Sequence, residues 1–200
     1  VEPRDTYLTL KEDSEGFYKE KGSKFLAFAY TVQDEEGVKE KIAALKKKYY
    51  DARHHCYAYI LGEGGDNYRA NDDGEPGHSA GDPILGQIKS NNLTNTLIVV
   101  VRYFGGTKLG VSGLINAYRT AAAGAIENNE IVEKLILDEI VIKFGYPQMS
   151  HVMKIIKDHD LIVSSQKLEM NCQMKLGVRL SIMAQVREAF SEIHSINIVE

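Results

Sequence analysis

Apolar positions along the chain change period several times, and each period predicts an element. Val38, Ile42, Leu45 and Tyr49 recur at helical spacing across residues 35–50, with Lys46-Lys47-Lys48 near the end, where cations suit a helix C-terminus. His55 to Leu61 reads as a strand. Residues 64–82, rich in Gly, Asp and Asn, read as one long loop, a feature usually functional or mobile in compact domains. Leu97-Ile98-Val99-Val100-Val101 is a continuous run that predicts a strand buried on both faces. Leu114, Tyr118, Ala121 and Ala125 then form a helical stripe that Asn128-Asn129 can end. Past residues 130–136 the pattern shifts. Ile140, Ile142 and Phe144 alternate as a strand, and Met149, Val152, Met153 and Ile156 make an amphipathic helix after Pro147. Leu161 to Met170 suggests a second strand. Met174, Leu176, Val178, Leu180 and Ile182 alternate with polar or small residues as a half-buried antiparallel strand. Val186, Ala189, Phe190 and Ile193 predict another helix, and Ile196-Asn197-Ile198 a last strand. This β-α-β-β-α-β order is the ferredoxin-like pattern, which hosts many functions and decides none. The expected division is therefore 1–132 and 133–200.

Composition narrows the class. The chain has 200 residues, 44% of them hydrophobic, enough for a real core and too many for wholesale disorder. Cys56 and Cys172 lie too far apart in sequence to suggest a disulfide framework or zinc cluster. No run of about 18 uncharged apolar residues predicts a membrane span. Val1-Glu2-Pro3-Arg4-Asp5 lacks the basic-then-apolar order of a signal peptide, so a soluble cytoplasmic protein is expected. The net charge of −4 excludes a globally basic surface, but the average hides a segregation. Glu63 to Asp82 holds six acids and one base, Arg69. Pro83 to Ile126 holds no acid and four bases, Lys89, Arg102, Lys108 and Arg119.

Three stretches can carry chemistry. In Val101-Arg102-Tyr103-Phe104-Gly105-Gly106-Thr107-Lys108-Leu109-Gly110-Val111-Ser112-Gly113 a buried strand ends in a glycine-rich turn that opens a helix. Backbone N–H groups at a helix start, with Lys108 and Arg102 adding full charges, suit an anion. The Walker A spacing is absent. The alternative is a plain strand-to-helix turn with Ser112 as N-cap. The second stretch is Asp72-Asp73-Gly74-Glu75-Pro76-Gly77-His78-Ser79-Ala80-Gly81-Asp82. It fits no calcium or zinc template, so turn hydrogen bonds are the better reading, with Ser79 or Asp82 capping a helix that starts near Pro83. The third is His54-His55-Cys56. There Cys56 is either an activated nucleophile or, as a buried strand Cys more often is, a small apolar residue.

Several of these motifs, in order, resemble the YigZ/IMPACT family. Asp72-Asp73-Gly74-Glu75-Pro76, then Ser79-Ala80-Gly81 and Pro83, looks like its Glu-Pro-x-Gly-Thr-Ala-Gly-x-Pro signature. Val100 to Gly106, Lys108-Leu109-Gly110, Gly113-Leu114 and Ala117-Tyr118 look like its second block, and Ser23-Lys24-Phe25 and Ala52 to Cys56 resemble two shorter ones. The resemblance implies an α+β protein. Its N-terminal part would be a ribosomal-protein-type domain similar to domain IV of elongation factor G, including a left-handed βαβ crossover; the ferredoxin-like part would follow it. The eukaryotic members regulate translation, and bacterial members have no firmly assigned activity. One departure is His78 where the signature has Gly, which implies that the backbone there does not need a glycine-only conformation.

The leading expectation is a non-catalytic, translation-associated regulator that binds RNA or the ribosome, needing neither cofactor nor metal. Lys24, Arg53, Arg102, Lys108 and Arg119 are its candidate phosphate contacts, and Gly105, Gly106 and Gly110 shape the turn. Asp72, Asp73, Glu75, Pro76, His78, Ser79 and Gly81 form the signature loop. The alternative is a hydrolase acting on a peptide or phosphate ester through the 72–82 loop with His54 or His55. A third reading is a protein partner held by the C-terminal domain. Neither a membrane nor sequence-specific DNA is expected as a partner.

Overall fold

The computed structural model describes residues 5–199; the opening Val1-Glu2-Pro3-Arg4, read above for a signal peptide, lies outside the described residues, as does Glu200. The strands in chain order are β1 (Thr6–Leu10), β2 (Ser14–Glu20), β3 (Ser23–Thr31), β4 (His54–Leu61), β5 (Asn67–Asn71), β6 (Thr96–Tyr103), β7 (Ile131–Leu135), β8 (Leu137–Gly145), β9 (Ile162–Lys167), β10 (Asn171–Arg179) and β11 (Ile196–Val199). The helices are α1 (Glu35–Lys48), α2 (Gly81–Ser90), α3 (Gly110–Glu127), α4 (Met149–Asp158) and α5 (Met183–Ser191). The architecture is mixed α+β. The chain divides into two compact units, Tyr7–Lys134 and a second one that begins at Leu135 and takes in Thr6.

The first unit is built on a five-stranded antiparallel sheet of order β2-β3-β6-β4-β5. Its central strand β6 is the apolar run of the sequence, and Thr96 to Arg102 are all buried. Both faces are covered, which is why the run does not alternate. On one face Phe25, Ala27, Cys56, Ala58, Ile98 and Val100 pack against Ile84 and Ile88 of α2 and Leu114, Tyr118 and Ala121 of α3. On the other, Phe28, Tyr59, Leu97 and Val99 pack against Val38 and Leu45 of α1. Asp34 caps α1 by accepting from the Gly37 N–H at 2.8 Å, and the three lysines occupy its last turn. Helix α3 approaches β2 so closely that a Cβ on Gly16 would stand 2.4 Å from the Ala125 nitrogen. β1 and β7 pair separately as a two-stranded sheet.

The second unit follows its predicted order. Its sheet runs β11-β8-β10-β9, antiparallel throughout, and Ile140, Ile142, Phe144, Met174 and Leu176 face Val152 and Ile156 of α4 and Val186 and Phe190 of α5. This is the split βαβ arrangement that the alternation implied. Leu180 and Ile182, read as the end of the long strand, fall in a 3-10 turn, Leu180–Ile182, that leads into α5.

The reading of 64–82 as one loop needs correction. Residues Asn67–Asn71 form the edge strand β5, paired with β4. Only one face of an edge strand meets the core, and none of Asn67, Tyr68, Arg69, Ala70 and Asn71 is fully buried, so no apolar alternation marked it.

Candidate functional site

The remaining stretch, 72–80, links β5 to α2 and is held by its own carboxylates. Asp72 accepts from the N–H groups of Ala80 (3.0 Å) and Gly81 (2.8 Å) through one oxygen and from His78 (2.9 Å) through the other. Burial pushes the Asp72 carboxyl up, but these three donors outweigh it and hold the pKa below the ordinary value. Asp72 is thus the cap of α2. The expected cap residues do other work: the Ser79 hydroxyl donates to the Pro76 carbonyl, and Asp82 lies inside the first turn, where it pairs with the His78 ring at 2.6 Å. A Cβ at Gly81 would meet the Asn71 nitrogen at 2.5 Å, so the helix starts hard against β5. Asp73 accepts from the His55 N–H at 2.7 Å, and its carbonyl lies 2.8 Å from the His54 ring.

Beneath this loop lies a buried polar chain. Glu75 accepts from Arg102 at 2.6 Å and from the Tyr118 hydroxyl at 2.7 Å; the side chains of Glu75 and Arg102 are 4% and 7% exposed. Arg102 also reaches the Ser23 hydroxyl at 3.4 Å, which accepts from the Gly105 N–H at 3.1 Å. Its guanidinium lies 5.5 Å from the Phe25 ring centre and 5.7 Å from that of Phe104, and its Nε is buried without a hydrogen-bond partner. The Cys56 thiol completes the chain, 3.3 Å from the Tyr118 hydroxyl and 3.0 Å from the Asp72 carbonyl.

Above it, β6 runs into the glycine turn. Gly105 is demanded by a close approach: a Cβ there would stand 2.0 Å from the Gly22 carbonyl carbon. Gly106 (φ +89°) and Gly110 (φ +71°) take left-handed backbone that favours glycine, with open space around both. The turn and the signature loop enclose one cleft of about 500 Å³, with Glu75 and Pro76 on one side, Phe104, Lys108 and the start of α3 on the other, and Arg53 and His54 at its edge.

This geometry comes with a sequence match. Residues 21–126 match the family profile described as Impact N-terminal domain. The chain belongs to the IMPACT family. The IMPACT family member YvyE of Bacillus subtilis is 31% identical over 187 residues, covering 94% of this chain and 84% of that protein. The IMPACT family member YigZ of Escherichia coli is 31% identical over 142 residues, 70% of each chain. A crystal structure titled as a hypothetical protein superposes with a TM-score of 0.74 over 98% of both chains at 23% identity, a likeness of fold.

Within this IMPACT-family chain the candidate residues divide. Arg53 and Lys108 share the cleft, and Lys24 lines an adjoining hollow that meets it at Phe104. Arg102 also lines the cleft, but its guanidinium is a buried partner of Glu75, the pairing that a desolvated charge needs. Arg119 is exposed on α3, nine residues and roughly 14 Å along the axis from Gly110, and lines neither hollow. Ser112 is not an N-cap: α3 begins at Gly110, with no side-chain cap. His78 takes φ +63°, so this position does adopt the left-handed backbone that the family's glycine suits, and His occupies it at a cost of about 1 kcal/mol.

Two of the groups a hydrolase could use are otherwise engaged, while His54 lines the cleft with its Nδ1 against the Asp73 carbonyl. Burial pushes the Cys56 thiol well above its usual range, the opposite of an activated nucleophile. His55 is buried, its Nε2 lies 3.1 Å from the Tyr49 carbonyl, and burial lowers its pKa. Among the described residues no cluster of three or more His, Cys, Asp or Glu side chains is arranged to hold a metal. No helix among them is long and apolar enough to cross a membrane. Sequence reasoning missed two aromatics that the fold leaves in solvent, Phe104 (56% exposed) and Phe17 (58%). Phe104 carried one signal, a large apolar residue placed directly before Gly105-Gly106.

Proposed function

We propose that this chain is a translation-associated regulator that acts in the cytoplasm, without a catalytic step, by contacting RNA or the ribosome through Arg53 and Lys108, with Lys24 beside them. One observation carries the reading. The cleft joins two cations, Arg53 and Lys108, that have no ion pair among the described residues, while its carboxylate Glu75 is neutralised by Arg102. The local charge is therefore positive although the chain carries −4. Membership of the IMPACT family, whose eukaryotic members regulate translation, supports the process; the Protein IMPACT homolog of Dictyostelium discoideum is 43% identical over 95 residues, 27% of that protein.

The test is filter binding to structured RNA, with ribosome pelleting, at low and moderate salt. Wild-type affinity should fall steeply with salt, and Lys108→Ala or Arg53→Ala should each flatten the log–log slope by about 0.7–0.9. If wild type binds neither RNA nor ribosomes at low salt, the reading fails.

A second reading rests on a different surface. Strand β9 is a sheet edge with all six residues exposed, Ile162 (47%) and Val163 (38%) among them, which suits strand addition by a protein partner. Co-purification of a stoichiometric protein that survives nuclease treatment and is lost in Ile162→Lys would favour it.

A further inference from the structure

The α1 face of the first sheet is only partly covered, and what it leaves open is chemically distinctive. Strand register fixes the membership of this face. Phe17 stands opposite Leu26, Lys19 opposite Lys24, and Lys24 opposite Tyr103. Helix α1 covers the Phe28, Val99 and Tyr59 end. The other end, at β2 and the start of β3, is a hollow of about 500 Å³ lined by Phe17, Gly22, Lys24, Leu26, Tyr103 and Phe104. Phe17 and Phe104 are more than half exposed.

Lys19 and Lys24 are directly paired across two antiparallel strands, which puts their Cβ atoms roughly 5 Å apart; like charges so placed destabilise a sheet. Neither has a carboxylate partner among the described residues, and Lys21 in the connecting turn adds a third exposed cation. Of the acids on these strands and beside Tyr103, Asp51 accepts from the Tyr103 hydroxyl, Glu20 accepts from Tyr18 and Glu15 stands opposite Phe28; all three keep their charge, but none forms an ion pair with Lys19 or Lys24 among the described residues. The face thus combines a repulsion that an anion relieves with flat apolar rings beside it.

We propose that this open sheet face, Phe17–Lys19–Lys24–Tyr103–Phe104, is a binding platform for single-stranded RNA, with bases stacking on Phe17 and Phe104 and the phosphates lying over the lysines. It deepens the RNA reading above and rests on it. The chemistry favours a polynucleotide over a protein. Protein interfaces deplete lysine at their apolar centre, whereas here Lys24 lines the hollow itself. Aromatic rings interleaved with cations are what a single strand needs, since every base offers a π face and every nucleotide a charge. Phe104 also borders the cleft of Arg53 and Lys108, so a strand leaving the platform meets those cations next.

The experiment is fluorescence anisotropy with labelled oligouridine, a blunt RNA duplex of the same length and oligodeoxythymidine, at low salt. Oligouridine should bind best. Phe17→Ala and Phe104→Ala should each weaken it about tenfold, Phe104→Tyr should retain it and Phe104→Leu should not, because stacking needs a ring rather than apolar bulk. Lys19→Ala should flatten the salt slope by about 0.7, while Lys154→Ala, at an exposed position of α4, should change nothing. Since Phe17 and Phe104 are solvent-facing, circular dichroism should find every variant folded. Equal or tighter binding of duplex or oligodeoxythymidine overturns the proposal. So does binding that ignores Phe17 and Phe104 but is lost in Lys108→Ala, which leaves the broader reading standing. Binding of no RNA and no ribosome at all removes both.

Discussion

Replacing Glu75 by Gln is the sharpest probe of how this protein is held together. The side chain keeps its shape, and its amide oxygen can still accept from Tyr118, but it no longer neutralises Arg102. The guanidinium, 7% exposed, is left as an uncompensated charge with one nitrogen already unpartnered. Breaking a buried pair in this way costs about 3–5 kcal/mol. For a chain of this length each kcal/mol moves the melting temperature by about 2–4 °C, so Glu75→Gln should lower it by about 6–20 °C. Arg102→Met, which strands the carboxylate instead, should cost a similar amount. The double variant removes both charges, and its loss should be well below the sum of the two. Urea unfolding followed by circular dichroism gives all four free energies and hence the coupling. A cost under about 0.5 kcal/mol for Glu75→Gln, with additive singles, would refute the assignment of Arg102 as an internal ion and return it to the list of ligand contacts.

Three further predictions concern the loops. Asp72→Ala should lose about 1–2 kcal/mol of stability at neutral pH through loss of the α2 cap, measured by urea midpoint. Because the folded pKa of Asp72 is depressed, its contribution is full above the unfolded value near 4 and is lost as pH falls through the folded one, so the gap to wild type should close in acid. His78→Gly should stabilise by up to about 1 kcal/mol by relieving φ +63°, whereas a net loss would show that the exposed pair with Asp82 matters more than backbone strain. Gly105→Ala should cost about 2–3 kcal/mol or more through its clash with Gly22, while Gly86→Ala, in open space within α2, should gain up to about 1 kcal/mol; equal thermal shifts for the two would contradict the packing argument.

The signature loop shows where sequence reasoning stopped. Its acids were legible as turn formers, and that reading holds: Asp72 and Asp73 bond backbone N–H groups. Which acid caps α2 was not legible, since the cap stands nine residues before Gly81 and reaches it only because the loop doubles back. The partner of Arg102 was illegible for a related reason. Charge counted along the chain placed Arg102 in an acid-free stretch, whereas its partner Glu75 comes from the acidic stretch, 27 residues earlier, brought beside it by the 72–80 loop.

What the sequence determined by itself was everything set by local period. The helical stripes of α1 and α3, the buried run of β6 and the βαββαβ order of the second unit follow from side-chain spacing of 3.6 or 2 residues, and any compact solution must respect them. The tertiary structure decided which charges survive as charges. Arg53 and Lys108 have no ion pair among the described residues, Arg102 and Glu75 cancel, and Lys19 meets Lys24 only through strand register. It also decided that α1 covers part of a sheet face and leaves Phe17 and Phe104 in water. Coulomb energy and burial depend on distance in space, and a sequence records only distance along the chain.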